Sequence, residues 1–184
     1  MRQMSRGSTN TSKWFVSDVT LPSNSSESAM TKAASPFALP ATLSSDLGRV
    51  RDYWESLKRG ENNMPFWDDV KLSSLPDLAD RLMLVDAFQR PQRFRFNSVG
   101  ERIRERYGAN LAGEFMDEID PKIPLEFFTA QASATIESRL PTFFRGSASA
   151  GSKRGGGYAR LLLPMWGNGH IEMMLGVITF ASKT

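Results

Sequence analysis

The chain contains no cysteine and only one histidine among its 184 residues. A protein without cysteine has no disulfide framework, no thiolate metal site and no cysteine nucleophile. A single histidine leaves too few ligands for a zinc site and argues against a hydrolytic triad. The composition therefore disfavours most hydrolases and zinc domains, and it fits a reducing compartment.

Long hydrophobic runs and a strong charge of one sign are also missing. No apolar stretch approaches the roughly 20 residues that a membrane span needs, and no hydrophobic signal segment follows the N-terminal arginines. The 23 basic and 20 acidic residues give a formal net charge of +3. This balance is too close to neutral to indicate a polyanion-binding protein. We expect a cytoplasmic protein that binds neither membranes nor nucleic acid.

The first 43 residues differ in composition from the rest of the chain. They are rich in serine and threonine, and their few large apolar residues follow no period. Such a segment has too little apolar surface to offset the entropy of ordering. The sequence predicts a flexible tail over residues 1–43 and a folded domain over residues 44–184.

An amphipathic helix is predicted over residues 46–58, with Ser45 as its N-cap and Gly60 as its end. Its apolar residues recur every three or four positions and form one stripe. We expect this stripe to cover one face of a sheet or to form a protein interface. The candidate interface residues are Val50, Tyr53, Trp54 and Leu57.

The remaining pattern predicts a two-layer α+β domain. A hairpin (82–88 and 93–99) precedes a short helix (101–107) and a longer helix (121–137), and three strands follow (141–149, 158–166 and 170–180). Tight turns between consecutive strands require antiparallel pairing. We therefore expect a five-stranded antiparallel sheet with helices on one face, preceded by the N-terminal amphipathic helix.

The last predicted strand is apolar on both alternating faces over residues 173–180. A sheet that is solvated on one side does not require this pattern, so the outer face must also be covered. The helix at 46–58 is the predicted cover. If this helix moves away, the exposed outer face would become a dimer interface.

Three groups of short motifs carry a family resemblance. They are Tyr53-Trp54, Leu57-Lys58-Arg59-Gly60 and Met64-Pro65; then Val99-Gly100, Tyr107-Gly108 and Asn110-Leu111-Ala112-Gly113; and finally Tyr158, Leu161-Leu162-Leu163-Pro164 and Leu175-Gly176. From about Leu47 to Phe180 the chain resembles bacterial, alphaproteobacterial-type single-domain PAS-like proteins of unknown role. Asn97 and Glu101 depart from that family's pattern, which often has an arginine and a small hydroxyl residue at these places.

The resemblance implies a PAS fold, in which the sheet and the helices before its third strand enclose a pocket. It also implies a sensory or regulatory role. The pocket would be apolar and would suit a small apolar ligand, although the same side chains could simply fill the core. The expected lining residues are Phe96, Ile103, Tyr107, Phe127, Phe128, Leu162 and Met173.

The sequence does not identify a cofactor. His170 follows the turn Gly167–Gly169, where it is poorly placed to ligate haem, and the acidic residues 117–120 have no histidine partner for a metal site. The glycines in 153–157 match no phosphate-binding loop. The arginines in 101–107 alternate with glutamates, which is typical of a solvated helix face.

Three functions remain open. The leading hypothesis is a sensory or regulatory PAS module without catalytic output, which acts through small-molecule binding, a regulatory protein partner or homodimerisation. The alternative is a structural adaptor with a filled core. A third hypothesis is an NTF2-like enzyme that uses Asp86, an acid within an apolar strand that could pair with Arg95.

Overall fold

The computed structural model describes residues 35–147 and 156–181. The predicted tail over 1–43 lies mostly outside these residues, as do the end of the strand predicted at 141–149 and the basic part of the glycine-rich turn. No helix in the described ranges is both long and apolar enough to cross a bilayer. The elements are α1 (Ser45–Ser56), three 3-10 turns (Trp67–Asp69, Leu72–Ser74 and Pro76–Arg81), β1 (Leu82–Gln89), β2 (Gln92–Val99), α2 (Glu101–Tyr107), α3 (Phe128–Ser138), β3 (Thr142–Gly146), β4 (Tyr158–Gly167) and β5 (His170–Phe180).

The strands form one antiparallel sheet in the order β2-β1-β5-β4-β3. Two hairpins of adjacent strands, β1–β2 and β4–β5, meet in the middle, where β1 pairs with β5. The α+β class and the five-stranded antiparallel sheet are therefore confirmed. The central position of β5 explains why its sequence is apolar on both faces.

The two faces of the sheet are covered by different helices. On the inner face, Val85 is paired with both Phe96 and Met174, and the Phe96 ring lies 5.6 Å from that of Phe128 on α3. On the outer face, Leu175 is paired with Leu163, and α1 packs against β4 and β5. Three apolar residues of α1 are buried there: Leu47, Val50 and Trp54.

Both edges of the sheet are partly covered by irregular segments. Residues 113–116 run along β2, where the amides of Phe96 and Met116 donate to the carbonyls of Glu114 and Phe94. At the opposite edge, the amide of Phe143 donates to the carbonyl of Phe37 at 2.9 Å. These segments satisfy backbone groups that would otherwise be open to pairing with another chain.

The long helix predicted over 121–137 is wrong in its first half, because α3 begins only at Phe128. Phe127 has a φ of 55°, a left-handed conformation that interrupts a helix. Pro124 also lacks the amide proton that a helix interior would use. By contrast, α2 spans 101–107 as expected and ends at Gly108, which adopts a φ of 91°.

Candidate functional site

The inner face of the sheet contains a fully buried charged residue, Arg160 on β4. Its neighbours along the strand, from Leu161 to Met165, are almost entirely apolar and buried. A charge placed in such an environment must find polar partners, because the cost of removing it from water is several kcal/mol or more. Arg160 finds these partners on α3 and on the irregular segment that precedes it.

The Arg160 guanidinium bridges three acceptors. Nε donates to Oε1 of Gln131 at 2.7 Å, Nη1 donates to the carbonyl of Pro124 at 2.8 Å, and Nη2 donates to the carbonyl of Glu126 at 3.0 Å. The guanidinium carbon also lies 4.4 Å from the centre of the Phe128 ring. Arg160 therefore ties segment 124–126 and the first turn of α3 to the centre of the sheet.

A second layer of hydrogen bonds holds Gln131 in place. Its Nε2 donates to the carbonyl of Thr142 at 3.1 Å, and the hydroxyls of Thr135 and Thr142 are 2.6 Å apart. All of these side chains are buried. Because each polar group has a partner, the network can occupy the interior without the penalty of an unsatisfied donor or acceptor.

Tyr158, the first residue of β4, extends the network to the side chain of Glu126. Its hydroxyl donates to Oε2 of Glu126 at 2.6 Å, and its ring packs over Gly146, where any side chain would collide with it. Burial, followed by the hydrogen bond to Glu126, raises the pKa of Tyr158 above its usual value. Burial lowers the pKa of Arg160 to about 10, so the guanidinium remains protonated at neutral pH.

A cleft of about 260 Å³ lies beside this network, on the inner side of the sheet. This volume is at the lower limit of small-molecule pockets, which span roughly 300–1,000 Å³. Three of the predicted pocket residues line it: Phe96, Phe127 and Phe128. The remaining lining residues are Met116, Ile119, Pro121, Leu125, Thr129 and Ala130.

The other predicted pocket residues do not line the cleft. Ile103 and Tyr107 are buried core residues on α2, and Leu162 is fully buried on β4. Met173 is paired with Asp86 and therefore lies on the outer face, because side chains alternate along a strand and Met174 occupies the inner position. Phe127 lines the cleft but is 67 % exposed. The predicted set thus divides between the cleft, the inner core and the opposite face.

The predicted interface residues of α1 mostly contribute to the fold of this chain. Val50 and Trp54 are fully buried, and Nε1 of Trp54 donates to the carbonyl of Pro164 at 2.9 Å. The Tyr53 hydroxyl is hydrogen bonded to the backbone of Lys71, and Leu57 is half-buried. The apolar stripe of α1 is therefore used by the outer face of the sheet and is not open to a partner.

Among the residues that the structure describes, none covers the whole of the outer face. A groove of about 770 Å³ remains beside the N-terminal end of α1, and its floor includes the outer-face residues Phe143, Ala159 and Thr179. Leu43 and Leu47 form its opposite wall. We call this feature the outer groove. It is larger than the inner cleft, and it is open along one side of the domain.

Asp86, the candidate catalytic acid, is part of an ion pair. Its Oδ2 accepts from Nε and Nη2 of Arg95 at 3.0 and 2.7 Å, and its Oδ1 accepts from Asn97 at 3.2 Å. Asn97 is the extra residue of a β-bulge, since Val85 pairs with Phe96 and Leu84 pairs with Ser98. Both carboxylate oxygens are therefore already engaged by neighbouring side chains.

His170 lies at the β4–β5 hairpin, where its Nδ1 is 3.2 Å from the carbonyl oxygen of Asn168. His170 is not one of the residues that line the inner cleft. Within residues 35–147 and 156–181, no group of three potential ligands could hold a metal ion.

Arg160, the central residue of the inner network, was not among the residues predicted from the sequence. Arg160 is the single charge within the run from Tyr158 to Met165, and a lone charge in a strand apolar on both faces is a recognisable signal of a buried polar contact. Its partners were not recognisable, because two are backbone carbonyls and the third, Gln131, lies in another element.

The chain matches no protein-family model and no curated protein. The resemblance to PAS-like proteins therefore remains a prediction from the sequence motifs.

Proposed function

We propose that the chain is a PAS-like regulatory module without catalytic output, and that it acts through contact with another protein rather than through an internal ligand. The observation that carries this proposal is the filled interior. Where an internal pocket would be expected, the space between the sheet and α3 holds Arg160 and Gln131 together with Phe96 and Phe128.

Opening this interior to a ligand would be costly. A ligand that displaced the Arg160 side chain would have to replace three hydrogen bonds and leave the guanidinium with new partners. Leaving even one buried polar group unsatisfied costs about 1–3 kcal/mol. The inner cleft of about 260 Å³ favours a very small apolar ligand as the second candidate, since Phe96, Phe127 and Phe128 all line it.

The outer groove supports the proposal that the chain acts through contact with another protein. Phe143, Ala159 and Leu43 give it an apolar surface, and its volume of about 770 Å³ exceeds that of the inner cleft. It exposes the part of the outer sheet face that α1 leaves uncovered. We place a second copy of the chain there, because a sheet face that is apolar and uncovered in one chain is commonly buried by association.

The proposed mechanism is a population shift. Ser45 and Asp46, in the first turn of α1, line the outer groove and are accessible, whereas Leu47 beside them is buried against the sheet. A partner in the groove therefore contacts the helix whose Trp54 is hydrogen bonded to β4. Binding would favour one packing arrangement of α1 on the sheet over others by the difference in the partner's affinity for them.

The test is the mass of the wild-type chain and of Phe143→Glu in solution, measured by light scattering after size-exclusion chromatography. We expect a dimer for the wild type and a monomer for Phe143→Glu, because a carboxylate in the groove would be desolvated by the second copy. Phe88→Glu is the matched control, since Phe88 is exposed on β1 and lies outside the groove.

Circular dichroism and thermal denaturation check that both variants fold. The proposal of a second copy in the groove is contradicted by a wild-type monomer at high concentration, or by a folded Phe143→Glu variant that still forms the wild-type dimer.

A further inference from the structure

A second cleft, of about 290 Å³, opens at the end of the domain formed by the β1–β2 and β4–β5 hairpins and the C-terminal end of α3. Two arginines, Arg90 and Arg139, and the single histidine, His170, are part of its wall. Within the described parts of the chain, none of the lining residues is an aspartate or a glutamate. We call this feature the basic cleft.

The two arginines of the basic cleft differ from most others in the described chain. Arg93 and Arg95, for example, each form an ion pair with a carboxylate. Among the described residues, neither Arg90 nor Arg139 has a carboxylate within salt-bridge distance, although both are exposed. A concave site with positive charge and no acid concentrates anions by focusing the field in the cleft.

Arg139 is held in place by the end of α3. It follows the last residue of the helix with a φ of 56°, and its amide donates to the carbonyl of Thr135 at 3.0 Å. Its guanidinium carbon lies 5.8 Å from the centre of the Trp166 ring. The arginine and the indole are therefore presented together on one wall of the cleft.

The remaining wall supplies apolar and aromatic surface. Phe88 is 40 % exposed, Trp166 is partly exposed, and Ile136 of α3 also lines the cleft. The flat rings of Phe88 and Trp166 can stack on the aromatic ring of a ligand. Guanidinium groups bind planar carboxylates through two parallel hydrogen bonds.

We propose that the basic cleft binds a small aromatic carboxylate, with the carboxylate at Arg139 and Arg90 and the ring against Trp166. The volume of about 290 Å³ restricts the ligand to one small ring system. This inference is independent of the proposed function, because the basic cleft shares no lining residue with the outer groove or the inner cleft.

The first test uses the wild-type full chain and two probes of similar shape, of which one is an anion and the other is neutral. Indole-3-carboxylate and its neutral analogue indole-3-carboxamide are titrated into the protein by isothermal calorimetry. We expect the carboxylate to bind at least about tenfold more tightly, because a hydrogen bond from a guanidinium to a charged acceptor is stronger than one to a neutral amide. Equal affinities, or no binding of the carboxylate at millimolar concentration, would overturn the proposal.

The second test uses Arg139→Gln and Arg90→Gln, with Arg102→Gln as the matched control. Arg102 is exposed on α2, lies outside the basic cleft and has no carboxylate partner among the described residues. We expect each cleft variant to weaken indole-3-carboxylate about tenfold and the control to change it less than about twofold. A uniform loss in all three variants would mean that net charge alone drives binding, and the proposal would fail.

Inorganic phosphate tests how much the aromatic ring contributes to affinity, because phosphate carries negative charge but has no ring. It is expected to bind more weakly than indole-3-carboxylate, because it makes no contact with the Trp166 indole. Phosphate that binds as tightly as the aromatic carboxylate would overturn the assignment of the ring to Trp166.

Discussion

Replacing Arg160 by alanine is the most informative perturbation of the inner network. The substitution removes the donors of three hydrogen bonds and leaves Oε1 of Gln131 and the carbonyls of Pro124 and Glu126 without partners. Each unsatisfied buried acceptor costs about 1–3 kcal/mol. The variant also loses the contact of the guanidinium with the Phe128 ring.

One effect of the substitution stabilises the folded state. Arg160 is fully buried, so its removal relieves the cost of keeping a charge away from water. Alanine cannot fill the space that the long side chain leaves, and the resulting cavity adds to the loss. Taking these effects together, we expect Arg160→Ala to lower the free energy of unfolding by about 3–5 kcal/mol, because three neutral acceptors lose their donor and a cavity opens.

The assay is urea denaturation followed by circular dichroism, in which a shift of the midpoint at constant slope reports stability. Arg102→Ala is the control, because Arg102 is exposed and its loss should change stability by less than about 0.5 kcal/mol. Arg160→Lys keeps the charge but cannot span three acceptors, so we expect an intermediate loss. A loss of less than about 1 kcal/mol for Arg160→Ala would refute the view that this residue organises the interior.

Two further predictions concern Tyr158 and Trp54. Burial and the hydrogen bond to Glu126 raise the pKa of Tyr158, so the stabilisation that its protonated hydroxyl provides is present below the unfolded pKa and is lost as pH rises above about 10. In urea titrations, we expect Tyr158→Phe to be less stable than the wild type at pH 7 by about 1 kcal/mol. The variant should also lose less stability than the wild type when the pH is raised above about 10. Trp54→Ala should lower the free energy of unfolding by about 3–5 kcal/mol, because the Trp54 side chain is fully buried. Trp67→Ala is the control and should lower it much less in the same titration, because Trp67 is 41 % exposed. Equal losses in the two variants would contradict the packing of α1 on the sheet.

The sequence predicted the sheet well, because strand periodicity and turn residues are local signals. Alternation over β2, the proline at position 91 and the Gly167–Gly169 turn are visible without tertiary information. The boundary of α2 was predictable for the same reason, since Gly108 ends it in a left-handed conformation.

The helix predicted over 121–137 is wrong in its first half for a local and a tertiary reason, of which the local one is that Pro124 lacks the amide proton of a helix interior. The carbonyls of Pro124 and Glu126 accept hydrogen bonds from Arg160 on β4, and no local pattern encodes that contact. Met173 was assigned to the wrong side of the sheet for a related reason. A strand that is apolar on both faces gives no periodic signal to distinguish inner positions from outer ones.

The candidate sites were harder to predict than the fold. Trp54 follows the periodicity of a buried residue and of an interface residue equally well, and only its contact with β4 assigns it to the core. The basic cleft combines Arg90, Arg139 and Trp166 from three elements that are distant in sequence. Such a juxtaposition depends on the strand order, which brings the two hairpins to the same end of the domain.

We propose that the chain acts through protein contact and that its interior is filled. Native mass spectrometry of the freshly purified full chain tests both parts in one spectrum. We expect a dimer whose mass equals that of two polypeptides, with no small molecule retained in the interior. A monomer, or a dimer that carries a discrete added mass which Arg139→Gln does not remove, would contradict it.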